Sequence, residues 1–243
     1  MILTLAGMHR SGTSMLARYL HHSGISMGRD LYEDRSTNPY GHYEDVDFLK
    51  LQREELARAF DGQDYLVHGD LTPSAGFLDG ARRLLEARKA EYGARSWGWK
   101  DPRTTLFLEH WKQLEPELRV LGVVRDPRRV VASLCGRLHG YWSFRKKELF
   151  LKTCTHYNTM LADFAERHRD SAVVLSLEAL VENPGTTLEL LSDALNHPFD
   201  ATLFREQYDP GVISRMRRAS LLLHRGSVRA AEASHERLKA LSP

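Results

Sequence analysis

Residues 1–14 read MILTLAGMHRSGTS, a short apolar run that ends in a glycine and leads into hydroxyl residues. A second glycine, Gly12, follows Gly7 five residues later, and a helical pattern begins directly after it. Glycines allow a sharp turn whose successive N–H groups point at one anion, at the start of a helix whose dipole favours negative charge. This stretch therefore predicts a buried strand, a phosphate-binding loop and a helix.

The loop matches the spacing G-x-x-x-x-G-K-[ST] of nucleotide triphosphatases with one departure. Thr13 stands at the lysine position, and the nearest cation is Arg10, inside the loop. Because the lysine of that pattern contacts the terminal phosphates, its absence argues against ATP hydrolysis. We therefore predict that the loop binds the phosphate of a nucleotide in a reaction other than ATP hydrolysis.

Two stretches far apart in the chain resemble elements of sulfotransferases that use 3′-phosphoadenosine 5′-phosphosulfate (PAPS). Residues 9–14, HRSGTS, resemble the loop that holds the 5′-phosphosulfate. Residues 120–134, VLGVVRDPRRVVASL, resemble the 3′-phosphate element, in which an arginine ends a strand and a serine follows eight residues later. Arg125 and Ser133 stand at those two positions.

Two further stretches, 99–103 (WKDPR) and 174–184 (VLSLEALVENP), also resemble bacterial members of this family. The four matches occur in the order that the family has, between residues 7 and 184. The resemblance implies transfer of a sulfuryl group from PAPS to a hydroxyl of an unidentified acceptor by in-line displacement, with no metal required. The residues that it implies for donor binding are His9, Arg10, Ser11, Gly12, Thr13, Ser14, Arg125 and Ser133.

The general base is predicted within residues 38–45, NPYGHYED, since related enzymes often carry a glutamate here. Glu44 is the first candidate, and His42 is its rival because the cytosolic branch uses a histidine. Other acids in the region remain open: Glu33, Asp34 and Asp45. Glu44 has a simpler alternative role as an acid that favours a helix N-terminus.

Two cations complete the predicted catalytic set. Arg10 acts electrostatically on the donor phosphate, because arginine does not donate its proton at neutral pH. Lys100 stabilises the transferring sulfuryl group, with Arg103 near it. The alternatives are that Lys100 and Arg103 are strand-end surface cations and that Arg125 pairs with Asp126 or another surface acid.

Strand and helix patterns alternate along the chain. This alternation predicts an α/β fold with a central parallel sheet and flanking helices. The resemblance implies that this fold is the P-loop-containing nucleotide-binding fold of the sulfotransferase type. The predicted strands are 2–6, 97–100, 119–124 and 172–177. The predicted helices are 12–22, 45–60, 77–92, 102–112, one opening at Pro127, 144–168 and 184–195.

Composition limits the broad class. Of the 243 residues, 42% are apolar and 27% are charged, and the net charge is +2. These values suit one soluble domain over 1–243 and lack the basic excess of nucleic-acid-binding proteins. We therefore expect a small-molecule or glycan acceptor as partner. The first apolar run is too short for a secretion signal and no run reaches membrane-span length, which predicts a cytoplasmic protein.

The last part of the chain, about 208–243, is a basic extension in which arginines alternate with leucines. Three interpretations are open for it: a cover over the nucleotide, a solvated helix, or a contact between subunits.

Two rival functions are kept. One is an ATP-dependent small-molecule kinase on the same loop, which Thr13 and Arg125 disfavour. The other is a module that binds the nucleotide without catalysis, which the intact loop and the acids near residue 44 disfavour. The acceptor depends on loops 24–44, 61–76 and 139–147, which carry no substrate code.

Overall fold

A computed structural model describes residues 1–32, 41–137, 144–208, 221 and 224–242. Within these residues, four strands form one parallel sheet in the order β2-β1-β3-β4. The strands are β1 (Ile2–Gly7), β2 (Trp97–Lys100), β3 (Arg119–Val124) and β4 (Ala172–Ser176). The predicted α/β fold with a central parallel sheet is confirmed.

Helices cover both faces of this sheet. In chain order the described helices are α1 (Thr13–His22), α2 (Val46–Ala59), α3 (Ala75–Tyr92), α4 (Leu108–Leu114), α5 (Pro127–Arg137), α6 (Phe144–Arg167), α7 (Leu177–Glu182), α8 (Pro184–Leu195), α9 (Ala201–Gln207) and α10 (Arg225–Lys239). None of the helices in the described ranges combines the length and the apolar character that crossing a bilayer needs.

The strand side chains alternate between two apolar clusters. Val120 and Val124 of β3 lie in the cluster that packs under α2, α3, α6 and α10. Leu121 and Val123 of the same strand lie in the other cluster, with α1, α8 and α9. A sheet that is buried on both faces explains why β3 is an almost continuous apolar run.

The predicted element boundaries agree with the structure to within about two residues for most elements, and three segments differ. The helix expected over 102–112 begins as a 3₁₀ helix, Pro102–Phe107, and continues as α4. The helices α7 and α9 were not predicted, because each spans fewer than two full turns.

The end of the chain packs against the domain. Val228, Ala231 and Leu238 of α10 are buried in the larger cluster, and the helix lies along α6. Arg237 of α10 forms a bidentate hydrogen-bonded pair with Glu166 of α6 at 2.9 and 2.6 Å. One face of Arg225–Lys239 is therefore buried in the domain, while the arginines Arg225 and Arg229 are solvent-exposed, as the solvated-helix interpretation expects for them. Residues 209–220 lie outside the described residues.

Gly7 allows β1 and β3 to approach each other closely. It ends β1 with φ near +146°, opposite Val123 of β3. A Cβ atom at this position would lie 2.4 Å from the Val123 carbonyl oxygen. Only glycine fits both the backbone angle and the space.

Gly7→Ala should therefore lower the free energy of unfolding by about 3 kcal/mol, because strain and a clash with backbone coincide. Urea unfolding followed by circular dichroism measures it. Gly185→Ala in α8, where a Cβ meets nothing within 4 Å, is the matched control. We expect the control to stay within about 1 kcal/mol of the wild type. Equal effects of the two substitutions would contradict the close-approach argument.

A buried ion pair fixes the start of α2. The Asp45 carboxylate accepts hydrogen bonds from the backbone N–H groups of Arg29, Asp47 and Phe48. Both of its oxygens also lie 3.1 Å from a guanidinium nitrogen of Arg88 in α3, and both side chains are almost fully buried. Asp45 thus caps α2 and ties it to α3, immediately after Glu44.

Arg88→Met should cost about 3 kcal/mol of stability, since it leaves the Asp45 carboxylate buried without its cation. The same helix supplies the control, Arg82→Met, which removes an exposed pair with Asp79. Exposed pairs contribute little, so the control should barely change the urea midpoint. A loss as large in the control as in Arg88→Met would contradict this account.

Candidate functional site

The candidate site lies where the parallel strands end. Lys100 is the last residue of β2, Gly7 ends β1, and Arg125 follows β3 directly. Carboxyl ends of parallel strands meet at one edge of the sheet, which is where open α/β folds bind ligands. The predicted residues from three distant parts of the sequence therefore meet along this edge.

The loop between β1 and α1 has the backbone of an anion site. Gly12 has φ near +90° and precedes α1, whose N-terminus has no side-chain cap. Arg10 has φ near +69°, an uncommon angle for a residue with a side chain. The Gly7 N–H donates to the Thr105 hydroxyl at 2.9 Å, which fastens the loop's first residue to the turn after β2.

Arg10 contacts both Ser133 and Arg125. Nε of Arg10 donates to the Ser133 hydroxyl at 2.9 Å, across 123 positions of sequence. A terminal nitrogen of Arg125 donates to the Arg10 carbonyl oxygen at 2.8 Å. The residues predicted for the 5′-phosphate and for the 3′-phosphate thus form one continuous surface.

The charges around Arg125 favour an anion. Burial lowers the pKa of the Arg125 guanidinium, while Glu178 acts in the opposite direction. The neighbouring cations Arg129 and Arg10 lower this pKa further. Cations held close together repel each other, so a bound phosphate relieves an unfavourable interaction. The alternative that Arg125 pairs with Asp126 or another surface acid stays open, because Glu178 and Asp126 both raise the pKa of this guanidinium.

A second cluster, at the end of β2, pairs its charges internally. The Lys100 ammonium donates to Glu44 Oε1 at 2.7 Å and to the His42 carbonyl oxygen at 2.9 Å. The His42 ring nitrogen Nδ1 lies 4.0 Å from the same Glu44 oxygen. All three residues are buried. Lys100 is therefore not a surface cation.

Asp101 and Arg103 extend this cluster into the core. Asp101 Oδ1 accepts from Arg103 at 3.0 Å, and Oδ2 accepts from the Gln52 amide at 3.1 Å. Gln52 in turn accepts from the indole N–H of Trp111 at 3.3 Å. The network holds the WKDPR turn against α2 and α4.

The ionisation of Glu44 follows from its neighbours. Burial by itself raises the pKa of this carboxyl, but the ion pair and hydrogen bond with Lys100, helped by Arg103 and His42, hold it below its usual value. Burial raises the pKa of the Asp101 carboxyl, an effect that Arg103 only partly opposes. The pKa of Glu44 is thus shifted down and that of Asp101 up, although both carboxylates lie in the same cluster.

Aromatic rings lie between the two clusters. The His9 ring packs edge-on against Tyr65 at 4.6 Å and lies 5.7 Å from Tyr157. The Arg103 guanidinium lies 5.9 Å from the Tyr65 ring centre. Burial raises the pKa of the Tyr157 hydroxyl, which keeps it protonated. Among the donor-binding candidates, His9 is thus the one whose side chain packs against this aromatic group.

A cavity lies beyond Arg125 along the same edge of the sheet. Its volume is about 570 Å³, within the range of small-molecule sites. It lies between the start of α5, the start of α7 and the outer part of α10. Lining residues include Asp126, Arg129, Ser176, Glu178, Glu232 and His235.

The structure brings most of the sequence-predicted residues to this edge. Ser11 and Thr13 are buried in the loop and Ser14 is half-buried at the first turn of α1. Glu33 and Asp34, two of the other base candidates, lie outside the described residues. Asp45 is engaged with Arg88 and the α2 N-terminus. In the described part of the chain no group of three or more metal-ligating side chains is arranged to hold a metal ion.

Several residues of the network carried no signal in the sequence. Gln52 and Tyr157 are ordinary members of helical patterns, and Thr105 follows a proline turn without any motif. Arg88 looks like one more cation in an amphipathic helix. The structure shows instead that Arg88 is buried and paired with the buried carboxylate of Asp45.

The comparisons with known proteins identify the family. A family model described as the sulfotransferase family matches residues 3–201. A sequence search of curated proteins finds no match. The sulfotransferase domain from the Synechococcus PCC 7002 olefin synthase has a TM-score of 0.61 at 19% identity, over 96% of this chain and 93% of that one. The sulfotransferase from Alicyclobacillus acidocaldarius has a TM-score of 0.57 at 15% identity, over 98% and 94%.

At these identities the solved structures show the fold alone: the P-loop-containing sulfotransferase fold. The family model goes further, because it matches well over half of the chain and includes the loop, the Lys100 turn and the Arg125 element. The chain belongs to the sulfotransferase family.

Proposed function

We propose that this protein transfers a sulfuryl group from PAPS to a hydroxyl group of its acceptor. The observation that carries the proposal is the order of sites along the sheet edge. Lys100 stands at the end of β2, the phosphate loop follows β1, Arg125 follows β3, and the cavity opens beside β4. The donor has the same order of groups: sulfuryl group, 5′-phosphate, 3′-phosphorylated ribose and adenine.

The loop and Arg125 divide the two phosphates between them. Backbone N–H groups at the start of α1, together with the Thr13 and Ser14 hydroxyls, bind the 5′-phosphate. Arg125 and Ser133 bind the 3′-phosphate with charge-assisted hydrogen bonds. Arg10 stands between them, since its side chain already contacts Ser133 and its carbonyl already contacts Arg125.

The cavity beside β4 receives the adenosine. Its lining combines hydrogen-bond acceptors, such as Glu178, with the hydroxyl of Ser176. An adenine presents an amino group and ring nitrogens, which need both donors and acceptors.

The chemical step uses Glu44 as the general base. The Glu44 carboxylate takes the proton of the acceptor hydroxyl while that oxygen attacks the sulfur atom. The bond between sulfur and the 5′-phosphate oxygen breaks, and adenosine 3′,5′-bisphosphate leaves with the electron pair. Lys100 and Arg10 stabilise the negative charge on the sulfuryl oxygens and on the departing phosphate.

Lys100 couples donor binding to the strength of the base. Before the donor binds, Lys100 is hydrogen-bonded to Glu44 at 2.7 Å and lowers its pKa. A sulfuryl group next to Lys100 competes for this ammonium, which weakens the pair. The Glu44 pKa then rises, and the carboxylate becomes a stronger base only when the donor is in place.

Calorimetric titration with adenosine 3′,5′-bisphosphate tests the donor site. We expect binding without a metal, preferred over ATP with magnesium. Arg125→Ala should weaken it by about 2–4 kcal/mol, because a desolvated phosphate loses its cation. Arg119→Ala is the matched control, since Arg119 stands at the opposite end of the same strand.

Preference for ATP with magnesium would favour the kinase alternative instead. Unchanged binding by Arg125→Ala would remove the 3′-phosphate assignment, whatever the wild type prefers.

The pH dependence of kcat/KM for the donor tests the base. Because the Glu44 pKa is lowered below that of an ordinary glutamate, the carboxylate stays ionised at neutral and weakly acidic pH, so activity should stay level from pH 8 to about pH 5.5. Glu44→Gln should reduce kcat by about 10²-fold or more. In Lys100→Met the acid limb should move to higher pH, since burial then acts on Glu44 without its cation.

A histidine base gives a different profile. An acid limb near pH 6.5, with Glu44→Gln active and His42→Asn inactive, would transfer the role to His42.

A further inference from the structure

The outer face of α2 carries an open groove that the donor does not use. Its volume is about 370 Å³. Its floor is apolar and consists of Tyr32, Val46, Leu49 and Ala57; we call it the α2 groove. Lys50, Arg53, Glu54 and Asp64 form its rim.

The groove begins at the proposed catalytic residues. The Tyr32 N–H donates to the Glu44 carbonyl oxygen at 2.8 Å. The Tyr32 ring lies edge-on against the His42 ring, with 5.2 Å between the centroids. Tyr32 therefore links the groove directly to His42 and to the backbone of Glu44.

The floor of the α2 groove exposes apolar side chains to solvent. Among the described residues the large hydrophobic side chains that are exposed are Tyr32, Val46, Leu149 and Leu190. Tyr32 (41% exposed) and Val46 (40%) both lie in the α2 groove. Apolar groups left in water side by side favour an apolar ligand, because covering them is stabilising.

The charges at the rim pair with one another. Nε of Arg53 lies 2.5 Å from Asp64, and Lys50 lies 3.9 Å from Glu54. These two pairs balance, so the rim gives no net attraction for a charged ligand. A glycan on the apolar floor would lose hydration of its hydroxyl groups without matching hydrogen bonds there.

From this geometry we infer that the α2 groove binds the body of the acceptor, and that the acceptor is a hydrophobic alcohol or phenol rather than a glycan. The inference rests on the proposed sulfuryl transfer for its chemistry. The acceptor hydroxyl lies at Glu44 and its apolar part covers Tyr32, Val46 and Leu49.

Binding of 2-naphthol to the protein saturated with adenosine 3′,5′-bisphosphate tests the inference, followed by naphthol fluorescence. Val46→Asp places a carboxylate on the groove floor. Val46 is the first residue of α2, where an acid suits the helix dipole, so the fold should tolerate the change. We expect the affinity of the Val46→Asp variant for naphthol to fall at least about tenfold. The Val46→Leu variant keeps an apolar side chain and should bind naphthol as the wild type does.

Leu190→Asp is the matched control, since Leu190 is equally exposed (40%) but lies on α8. It should leave naphthol binding unchanged. Turnover with labelled PAPS should favour 2-naphthol over N-acetyllactosamine, and Val46→Asp should lower kcat/KM for the naphthol by a similar factor.

Three results would overturn the inference: no naphthol binding, equal effects of the two aspartate variants, or faster sulfation of the disaccharide. Failure of the donor assignment is a separate result. In that case the bisphosphate does not bind, while naphthol binding to the unloaded protein still responds to Val46→Asp and not to Leu190→Asp.

Discussion

The pairing of β1 with a parallel neighbour on each side is the constraint on which the site depends. The register sets Leu5 beside Lys100 in β2 and Gly7 beside Val123 in β3. Because parallel strands end at one edge, this register brings the phosphate loop between the Lys100 turn and Arg125. The hydrogen bond from Arg125 to the Arg10 carbonyl requires that alignment. A slip by one residue would turn each side chain to the opposite face of the sheet.

Two buried charge clusters meet at this edge, and they are built differently. Around Arg125, the neighbouring cations Arg129 and Arg10 lower the pKa of the guanidinium, while Glu178 and Asp126 raise it. At the end of β2, Glu44 is matched by Lys100 and Asp101 by Arg103, so that part is stable without a ligand. Removing one partner from such a pair is costly, whereas exchanging it for another anion is not. In the proposed mechanism, this difference allows donor binding to change the pKa of Glu44.

Helix α2 joins the two halves of the proposed reaction. Its inner face carries Gln52 into the network that holds Asp101, and its cap, Asp45, fixes the backbone next to Glu44. Its outer face forms the floor of the α2 groove, with Val46 at its first turn. In the proposed function, this one helix therefore holds the backbone next to the base and also forms the surface that binds the acceptor. The buried pair with Arg88 keeps both sides in register.

The sequence by itself determined the fold class, the strand order in the chain and the phosphate loop. These follow from local signals: an apolar run, glycines at a turn, and an arginine with a serine at fixed spacing. Most helix boundaries follow in the same way from periodicity and capping. The short helix α7 was not predicted, because six residues are too few to show a helical period. The packing of α10 was not predicted either, because an arginine-rich segment has the same sequence pattern whether or not one of its faces is buried.

Only the tertiary structure decided which residues share the site. The pairs Glu44–Lys100 and Asp45–Arg88 join residues more than forty positions apart, and no local pattern relates them. Whether such a charge is buried, and which charge it faces, depends on how the helices cross the sheet. Those distances also set the ionisation of Glu44, because desolvation and Coulomb attraction act over a few ångströms of space rather than along the chain.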